Sequence, residues 1–239
     1  MIYKCAVNPI TILKKDDCEA ERTADELIAW IDSIHTQLGA DEEAKNYARM
    51  GRGLTKAFFE EIMPLGHLAR HKYLGNPRVY FRSKIGNQSY DAEIIDRSSG
   101  DVTRVEFTNA YHDGNLALRM EYLAEHDGVC LTGHVGRDGT KASGGKVWVV
   151  PGCVDHQEVL DEMDASFEKA VQDKLSKSYT VGTLLAVVFD DYRLNPEDVS
   201  PIQSRFLNVL TKPMFEKFVT ILAIGASGRI VWEFQGVAI

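Results

Sequence analysis

The sequence is poor in the features that mark secreted, zinc-binding and membrane-embedded proteins. Its four cysteines, Cys5, Cys18, Cys130 and Cys153, show no CxxC spacing, which argues against a zinc site and against a disulfide framework. No apolar run approaches the roughly 18 residues that a membrane-spanning helix needs. The N-terminus has no continuous apolar stretch followed by a cleavage site of small residues. We therefore expect a cytoplasmic protein with reduced thiols and no membrane association.

The sequence also has no excess of basic over acidic residues, since its formal net charge is −8. Proteins that coat nucleic acid without sequence preference are usually basic, so this class is disfavoured, although a local basic groove is not. The glycine-rich stretch over residues 133–145 lacks a GK[ST] sequence before a helix, so it is not a phosphate-binding P-loop. We expect it to be a flexible loop that closes over a ligand.

What is present is the composition of an ordinary globular protein, with 44% hydrophobic and 26% charged residues. The length of 239 residues suits one domain spanning residues 1–239. Helical periodicity covers about residues 17–63 and predicts two helices, over 17–38 and 41–63. Gly39 should end the first helix, and Pro64 with Gly66 should break or kink the second.

Residues from about 78 to 239 predict a core of strands and helices. Strands are expected at 78–85, 90–96, 104–108, 146–150, 183–189, 218–224 and 229–234, and helices at 115–126, 157–175 and 196–210. The apolar runs at 146–150 and 183–189 indicate central strands. This order predicts the α/β (α+β) class, with a mixed central β-sheet flanked by helices and preceded by N-terminal helices.

The chain is organised around a predicted β-hairpin over residues 90–110. Acidic and apolar residues alternate in its first half, and in its second half Val105 and Phe107 alternate with polar residues. Four turn-forming residues lie between the halves, and Gly100 can adopt a positive φ. We expect the turn to pair Ser98 with Asp101.

This register decides which side chains share a face of the hairpin. Asp91 would lie opposite Thr108, and Glu93 opposite Glu106. Asp91 and Glu106 would then be diagonal neighbours with Cα atoms roughly 7–8 Å apart, within reach of one ion. Like charges this close destabilise a hairpin unless a cation or a proton compensates, so the pair predicts a divalent-metal site. A slip of one residue would place the two on opposite faces.

The order of these elements is similar to that of a known family. A helix with Glu60 or Glu61 precedes a strand meander that carries Asp91, then Glu106 in the sequence VEFT, and then a helix. This order, over roughly residues 44–150, resembles the PD-(D/E)XK nuclease-like superfamily, which has the restriction-endonuclease-like fold. Thr108 stands where that family has lysine.

The resemblance implies a Mg²⁺ or Mn²⁺ ion held by Asp91 and Glu106, with assistance from Glu60 or Glu61. Such an ion stabilises charge on a scissile phosphate and lowers the pKa of the attacking water. The family's lysine orients that water or neutralises charge in the transition state.

Because Thr108 offers only a hydroxyl group, another cation would have to replace the lysine. The candidates are Lys84 on the adjacent strand, Arg119 on the following helix and Lys141 in the glycine-rich loop. If none of these reaches the site, the fold would persist without hydrolysis.

For Asp91 and Glu106, the alternative to a metal site is a solvated hairpin face beside Arg82 and Arg104, with no metal. The leading prediction is a nuclease-like protein that hydrolyses phosphodiester bonds of nucleic acid if it is catalytically competent. The alternative is an inactive nuclease fold that serves as a binding or scaffold subunit, as a homodimer or with a protein partner. The acidic net charge and Thr108 favour this alternative.

Overall fold

A mixed seven-stranded sheet lies at the centre of the protein, in the order β1-β2-β3-β4-β7-β8-β9. The computed structural model describes residues 11–111, 116–126, 128–129 and 133–236. The strands are β1 (Arg22–Thr23), β2 (Val79–Ser83), β3 (Ala92–Asp96), β4 (Asp101–Ala110), β5 (His134–Arg137), β6 (Val147–Val150), β7 (Leu184–Phe189), β8 (Thr220–Gly225) and β9 (Val231–Gln235). Neighbours are antiparallel except β4–β7 and β7–β8, which are parallel.

Helices cover both faces of this sheet, which confirms the predicted α/β class with a mixed sheet between helices. They are α1 (Lys15–Cys18), α2 (Ala24–Leu38), α3 (Glu42–Arg49), α4 (Thr55–Ala57), α5 (Met63–Tyr73), α6 (Leu116–His126), α7 (His156–Leu175), α8 (Val199–Val209) and α9 (Lys212–Lys217). A π-helical turn, Phe58–Ile62, joins α4 to α5. None of the helices in the described ranges has both the length and the apolar character needed to cross a membrane.

Each face of the sheet buries its own apolar cluster. On one face Val105 and Phe107 of β4 pack with side chains of α2 and α5. On the other face β7, β8 and β9 pack against α7, α8 and α9. Because β7 contributes Ala186 to the first cluster and Leu185 to the second, it is buried on both faces, as its apolar run predicts.

The predicted first helix, over 17–38, is wrong at its start. The chain forms the short α1, then β1, and only then α2. Thr23 and Glu26 form a capping box, in which each side chain accepts a hydrogen bond from the other residue's backbone N–H. This pair fixes the start of α2 at Ala24, while Gly39 follows its last residue as predicted.

The predicted second helix, over 41–63, is also wrong, because it is interrupted at residues 50–54 and then continues to Tyr73. Gly51 and Gly53 have positive φ values of 57° and 55°, which suit glycine and break the first segment. Pro64 does not end the second segment, because it lies in the first turn of α5, where no N–H donor is needed. Gly66 lets α5 approach α2, since a Cβ there would lie 2.3 Å from Ile31 Cδ1.

The predictions for residues 133–150 are corrected as well. The expected loop contains β5, and β6 pairs with β5 in a separate two-stranded sheet instead of lying at the centre of the main sheet. Trp148 and Val150 of β6 are exposed, so an apolar sequence run did not imply burial here. Residue 115, the expected start of the helix that forms α6, lies outside the described residues.

Strand β4 changes partner halfway along its length. Its residues from Asp101 to Val105 pair with β3, and those from Val105 to Ala110 pair with β7. Since β3 begins at Ala92, opposite Val105, the second half of β4 runs past the end of β3. Beside Glu106 and Phe107 this edge of β4 has no strand partner among the described residues, and we call this unpaired edge the β4 opening.

Candidate active site

The observed hairpin register differs from the predicted one by two residues. Asp96 pairs with Asp101, and residues 97–100 form the turn. Asp96 favours this turn because its Oδ1 accepts a hydrogen bond from the Ser98 N–H at 2.7 Å. Glu93 therefore lies opposite Arg104 and not opposite Glu106. A shift of two residues is one full side-chain period, so the predicted faces are preserved.

Asp91 lies just before β3, at the edge of the β4 opening. Its N–H donates to the Val105 carbonyl oxygen at 2.8 Å. Its Oδ2 accepts a hydrogen bond from the Phe107 N–H at 2.7 Å. The carboxylate of Asp91 thus binds a backbone group of β4 that lies past the end of β3.

Glu106 lies on the face of β4 that α7 covers, and it is only 7% exposed. Its Oε1 is 2.5 Å from Lys174 Nζ, in the last turn of α7. The Tyr179 hydroxyl donates to the same oxygen at 3.2 Å. Lys174 Nζ also donates to the Phe107 carbonyl oxygen at 3.1 Å. The backbone N–H of Phe107 is therefore bound by Asp91, and its carbonyl oxygen by Lys174.

Glu61 reaches this centre from the π-helical turn. Burial, and then the negative charges of Asp91, Glu60 and Glu106, raise its pKa to about 7. The pKa of Asp91 is raised to about 6, mainly by burial and also by Glu106, although the Phe107 N–H opposes the shift. The carboxylates of Glu61, Asp91 and Glu106 therefore lie close enough to influence one another. We call these three residues the acidic centre.

Glu60 faces a different environment from its neighbour. Burial raises its pKa, and Lys56, whose Nζ lies 3.9 Å from Glu60 Oε2, opposes this. Its charge also acts on Tyr111, whose pKa burial and Asp190 raise to about 12. Of the two predicted helix glutamates, Glu61 is the one whose pKa the charges of Asp91 and Glu106 raise.

The three cations proposed from the sequence have contacts elsewhere. Lys84 Nζ lies 3.6 Å from Glu93 Oε2. Arg119 is buried and donates to the Gly133 carbonyl oxygen at 2.8 Å. Lys141 is exposed and lies 3.7 Å from Glu121 Oε2. Thr108 is partly buried on the same face of β4 as Glu106, opposite Val187 of β7.

Lys174 is the cation that sequence reasoning missed. It lies 68 residues after Glu106 in the chain, on a helix rich in charged side chains that resembles a solvated surface helix. One signal was available, because Glu106 points away from Val105 and Phe107 and therefore toward whichever helix covers the other face. That signal does not say which residue of the helix would meet it.

A second acidic residue on this face, Glu93, is fully compensated. Its Oε2 accepts hydrogen bonds from Arg82 Nε at 3.0 Å and NH2 at 2.6 Å, and its Oε1 accepts one from the Tyr90 hydroxyl at 2.8 Å. Although burial raises the pKa of Glu93, these donors and Lys84 hold it below its usual value. Arg82 therefore pairs with Glu93, whereas the alternative from the sequence placed Asp91 and Glu106 beside Arg82 and Arg104.

The acidic centre offers the oxygen ligands that Mg²⁺ and Mn²⁺ prefer. Among the described residues, no three His, Cys, Asp or Glu side chains form a ready metal-binding group. Mg²⁺ is commonly held by one or two carboxylates together with waters and substrate phosphates, and Asp91 and Glu106 fit that pattern. Comparisons of the chain with models of protein families, with curated proteins and with solved structures found no match. The chemistry of the centre must therefore be inferred from its own residues.

Proposed function

We propose that the protein is a divalent-metal-dependent phosphodiesterase of the PD-(D/E)XK nuclease-like type that acts on nucleic acid. One observation carries the proposal: Glu61, Asp91 and Glu106 concentrate negative charge at the β4 opening, and Lys174 compensates only part of it. Burial first, and then the neighbouring carboxylates, raise the pKa values of Asp91 and Glu61, so ionisation of both leaves an excess of negative charge. A bound divalent cation would remove it.

The residues of the centre suit distinct roles in phosphodiester hydrolysis. Asp91 and Glu106 would hold the ion, which when bound lowers the pKa of a water molecule and polarises the phosphate. Glu61, with a pKa of about 7, is suited to accept a proton from the attacking water near neutral pH. The Lys174 ammonium group would stabilise charge on the phosphate. Thr108 cannot take this role, because its side chain is uncharged.

Arg104 supports nucleic acid as the substrate. It lies on the same face of β4 as Glu106, one side-chain repeat away. Its guanidinium group lies 5.2 Å from the centre of the Tyr90 ring. Its buried Nε has no hydrogen-bond partner among the residues that the structure describes. A phosphate oxygen of a bound nucleic acid would supply that partner.

A second candidate function is that of an inactive nuclease fold used as a binding or scaffold subunit. The observation in its favour is that Glu106 Oε1 already accepts hydrogen bonds from both Lys174 and Tyr179. In this case the network would stabilise the junction between β4 and α7, and the partner would be another protein or a second copy of the chain.

Incubation with labelled nucleic acids distinguishes these functions. Single- and double-stranded DNA and RNA would be incubated with the protein and Mg²⁺ or Mn²⁺, beside Glu106→Gln. The matched control is Glu93→Gln, which removes a buried acid of the same face that lies outside the acidic centre. We expect metal-dependent cleavage that Glu106→Gln abolishes and Glu93→Gln retains. Absence of cleavage by the wild type would leave the scaffold function, and equal cleavage by Glu106→Gln would contradict the proposed role of Glu106.

A further inference from the structure

Part of one face of the central sheet lies outside both apolar clusters. On this face the helices α7, α8 and α9 pack with β7, β8, β9 and the end of β4, and this cluster includes no described side chain of β2 or β3. The buried side chains of β2 and β3, such as Phe81 and Ile94, pack on the opposite face. The alternate residues therefore point away from that core. We call six of them the open face: Tyr80, Arg82, Glu93, Ile95, Val102 and Arg104.

One row of side chains across the open face is apolar. Tyr80, Ile95 and Val102 lie in register on β2, β3 and β4. Val102 is 50% exposed, and the Arg97 guanidinium group lies over the Tyr80 ring, 3.7 Å from its centre. The side chain of Arg97 is itself 55% exposed. The row thus combines an exposed aliphatic side chain with a planar guanidinium group, a surface on which nucleobases stack.

The adjacent row, roughly 7 Å away along the strands, is charged. It consists of Arg82, Glu93 and Arg104, again in register. Glu93 does not compensate Arg104, because its carboxylate oxygens accept hydrogen bonds from Arg82 and Tyr90 instead. The buried Nε of Arg104 has no hydrogen-bond partner among the described residues. Arg104 therefore has donor capacity that an anion can use.

The charge of this region is opposite in sign to that of the whole chain. Its ion pairs contain more bases than acids, since Arg82, Lys84 and Arg97 share Glu21 and Glu93. Arg104 adds positive charge outside these pairs, whereas the net charge of the chain is −8. A local basic region on an acidic protein directs a polyanion to that region, because the remaining surface repels it.

We propose that a single-stranded nucleic acid binds across the open face, with bases on the apolar row and phosphates at Arg104. The inference rests on the proposed function and names the form of its substrate. A single strand fits better than a duplex, because only unpaired bases can stack on protein side chains. Glu106 lies two residues after Arg104, on the same side of β4. A backbone held at Arg104 therefore lies next to the acidic centre.

Fluorescence anisotropy in EDTA measures this binding without cleavage. The labelled probes are oligothymidylate, oligouridylate, and oligothymidylate annealed to oligoadenylate. We expect both single strands to bind about tenfold more tightly than the duplex, because only their bases can stack on the face. Arg104→Gln should weaken single-strand binding about tenfold, the usual effect of losing a hydrogen bond between charged groups. It should also reduce the slope of log affinity against log salt by about 0.7.

Arg97 separates base stacking from simple charge attraction. Arg97→Gln should weaken single-strand binding about fivefold, and Arg97→Lys nearly as much, because lysine keeps the charge but lacks the planar group. The matched control is Arg70→Gln on α5, which packs on the opposite face of the sheet. Arg70 is 49% exposed and pairs with Asp32, so its loss should change binding by less than about twofold. Because Arg97 is exposed, its variants test the face even if Arg104→Gln does not fold.

The possible failures are distinguishable. The inference is overturned if the wild type binds no single strand, if the duplex binds as tightly, or if folded Arg97 and Arg104 variants bind like the wild type. Metal-dependent cleavage would in each case still support the proposed function. A dimer that Val102→Asp dissociates in light scattering would assign the face to a second copy and also overturn the inference. If the wild type neither binds the probes nor cleaves any nucleic acid with metal, both proposals are overturned.

Discussion

Glu93 and Asp91 lie two residues apart, next to the same strand, yet their environments are opposite. Glu93 is held by two arginine nitrogens and a tyrosine hydroxyl, and its pKa is lowered despite burial. Asp91 has one backbone N–H donor to its carboxylate and two acidic neighbours, and its pKa is raised to about 6. The difference shows that hydrogen-bond and charge partners, and not burial alone, decide whether the pKa of a carboxyl group is raised or lowered.

The sheet explains why the partners differ. Glu93 lies within the paired part of β3, opposite Arg82 of β2, so the strand register supplies the cation that donates to its carboxylate. Asp91 lies just outside that part, where β4 runs past the end of β3. There the nearby charges include Glu61 of the π-helical turn and Glu106 of β4. The compensated charge of Glu93 inside the sheet is what we expect of the scaffold. The uncompensated charge at the β4 opening is what we expect of a functional site.

The largest expected effect separates Asp91 from Glu93 by activity. Asp91→Asn should lower metal-dependent cleavage about 100-fold or more, because an ion-binding carboxylate is lost. Glu93→Gln should lower it by less than about threefold, since the residue only pairs with neighbouring cations. Initial rates on the best substrate at saturating Mg²⁺ check this. Equal losses in the two variants would remove the functional distinction between the two acids.

A smaller effect concerns the pH dependence of stability. The folded-state pKa values of Glu61 (about 7) and Asp91 (about 6) lie above the ordinary values of 4.5 and 3.8, so the folded protein binds protons that the unfolded chain releases. The contribution of these two carboxyl groups to the free energy of unfolding is present below about pH 4 and is lost as the pH rises to about 7. The metal-free protein should lose about 3 kcal/mol of unfolding free energy between about pH 5 and 8, a value reduced for solvent screening.

Urea unfolding at several pH values measures this loss. Carboxylates with lowered pKa values, such as Glu93, titrate below this range and should not mask it. Saturating Mg²⁺ should restore stability at pH 8, because a ligand that binds only the folded state stabilises it. A flat profile without metal would show that the charge of the acidic centre is already compensated.

Single substitutions should change stability in opposite directions. At pH 8 and without metal, Glu61→Gln should stabilise the protein by about 2 kcal/mol, because it removes a charge that the fold disfavours. Glu93→Gln should destabilise it by about 1–2 kcal/mol, because Arg82 and Lys84 lose their acidic partner. At pH 5 the effect of Glu61→Gln should nearly vanish. Denaturant midpoints of the two variants would contradict the comparison if both moved in one direction.

The smallest effect is expected at Tyr179. Tyr179→Phe removes the hydroxyl that donates to Glu106 Oε1 but keeps the ring that packs on Phe218. We expect a loss of about 1 kcal/mol, because Lys174 still satisfies the carboxylate. Thermal unfolding of the variant checks this. A loss as large as that of Lys174→Met would mean that the tyrosine, and not the lysine, is the main partner of Glu106.

The faces of the hairpin were predictable from the sequence, but its register was not. Alternation along β3 and β4 specifies which side chains share a face, and this held although the turn closes at Asp96 and Asp101 instead of at Ser98. An error of two residues is invisible to a pattern with a period of two. It nevertheless changed the neighbour of Glu93 on β4 from the acidic Glu106 to the basic Arg104.

Partners that come from distant parts of the chain were the least predictable. Lys174 reaches Glu106 because β7 lies parallel to β4, which brings α7 across the sheet. Glu61 reaches the acidic centre from a π-helical turn that directly precedes α5. Neither a pairing between helix and sheet nor a local change in helical pitch leaves a clear periodic pattern.

Carboxyl-carbon NMR titration of the metal-free protein, repeated with Mg²⁺, tests the central claim most directly. We expect the pKa of Asp91 near 6 and that of Glu61 near 7, with Glu93 below its ordinary value, and we expect Mg²⁺ to lower the first two while leaving Glu93 unchanged. Ordinary pKa values at Asp91 and Glu61, or raised values that Mg²⁺ does not alter, would contradict an acidic centre that binds a divalent cation.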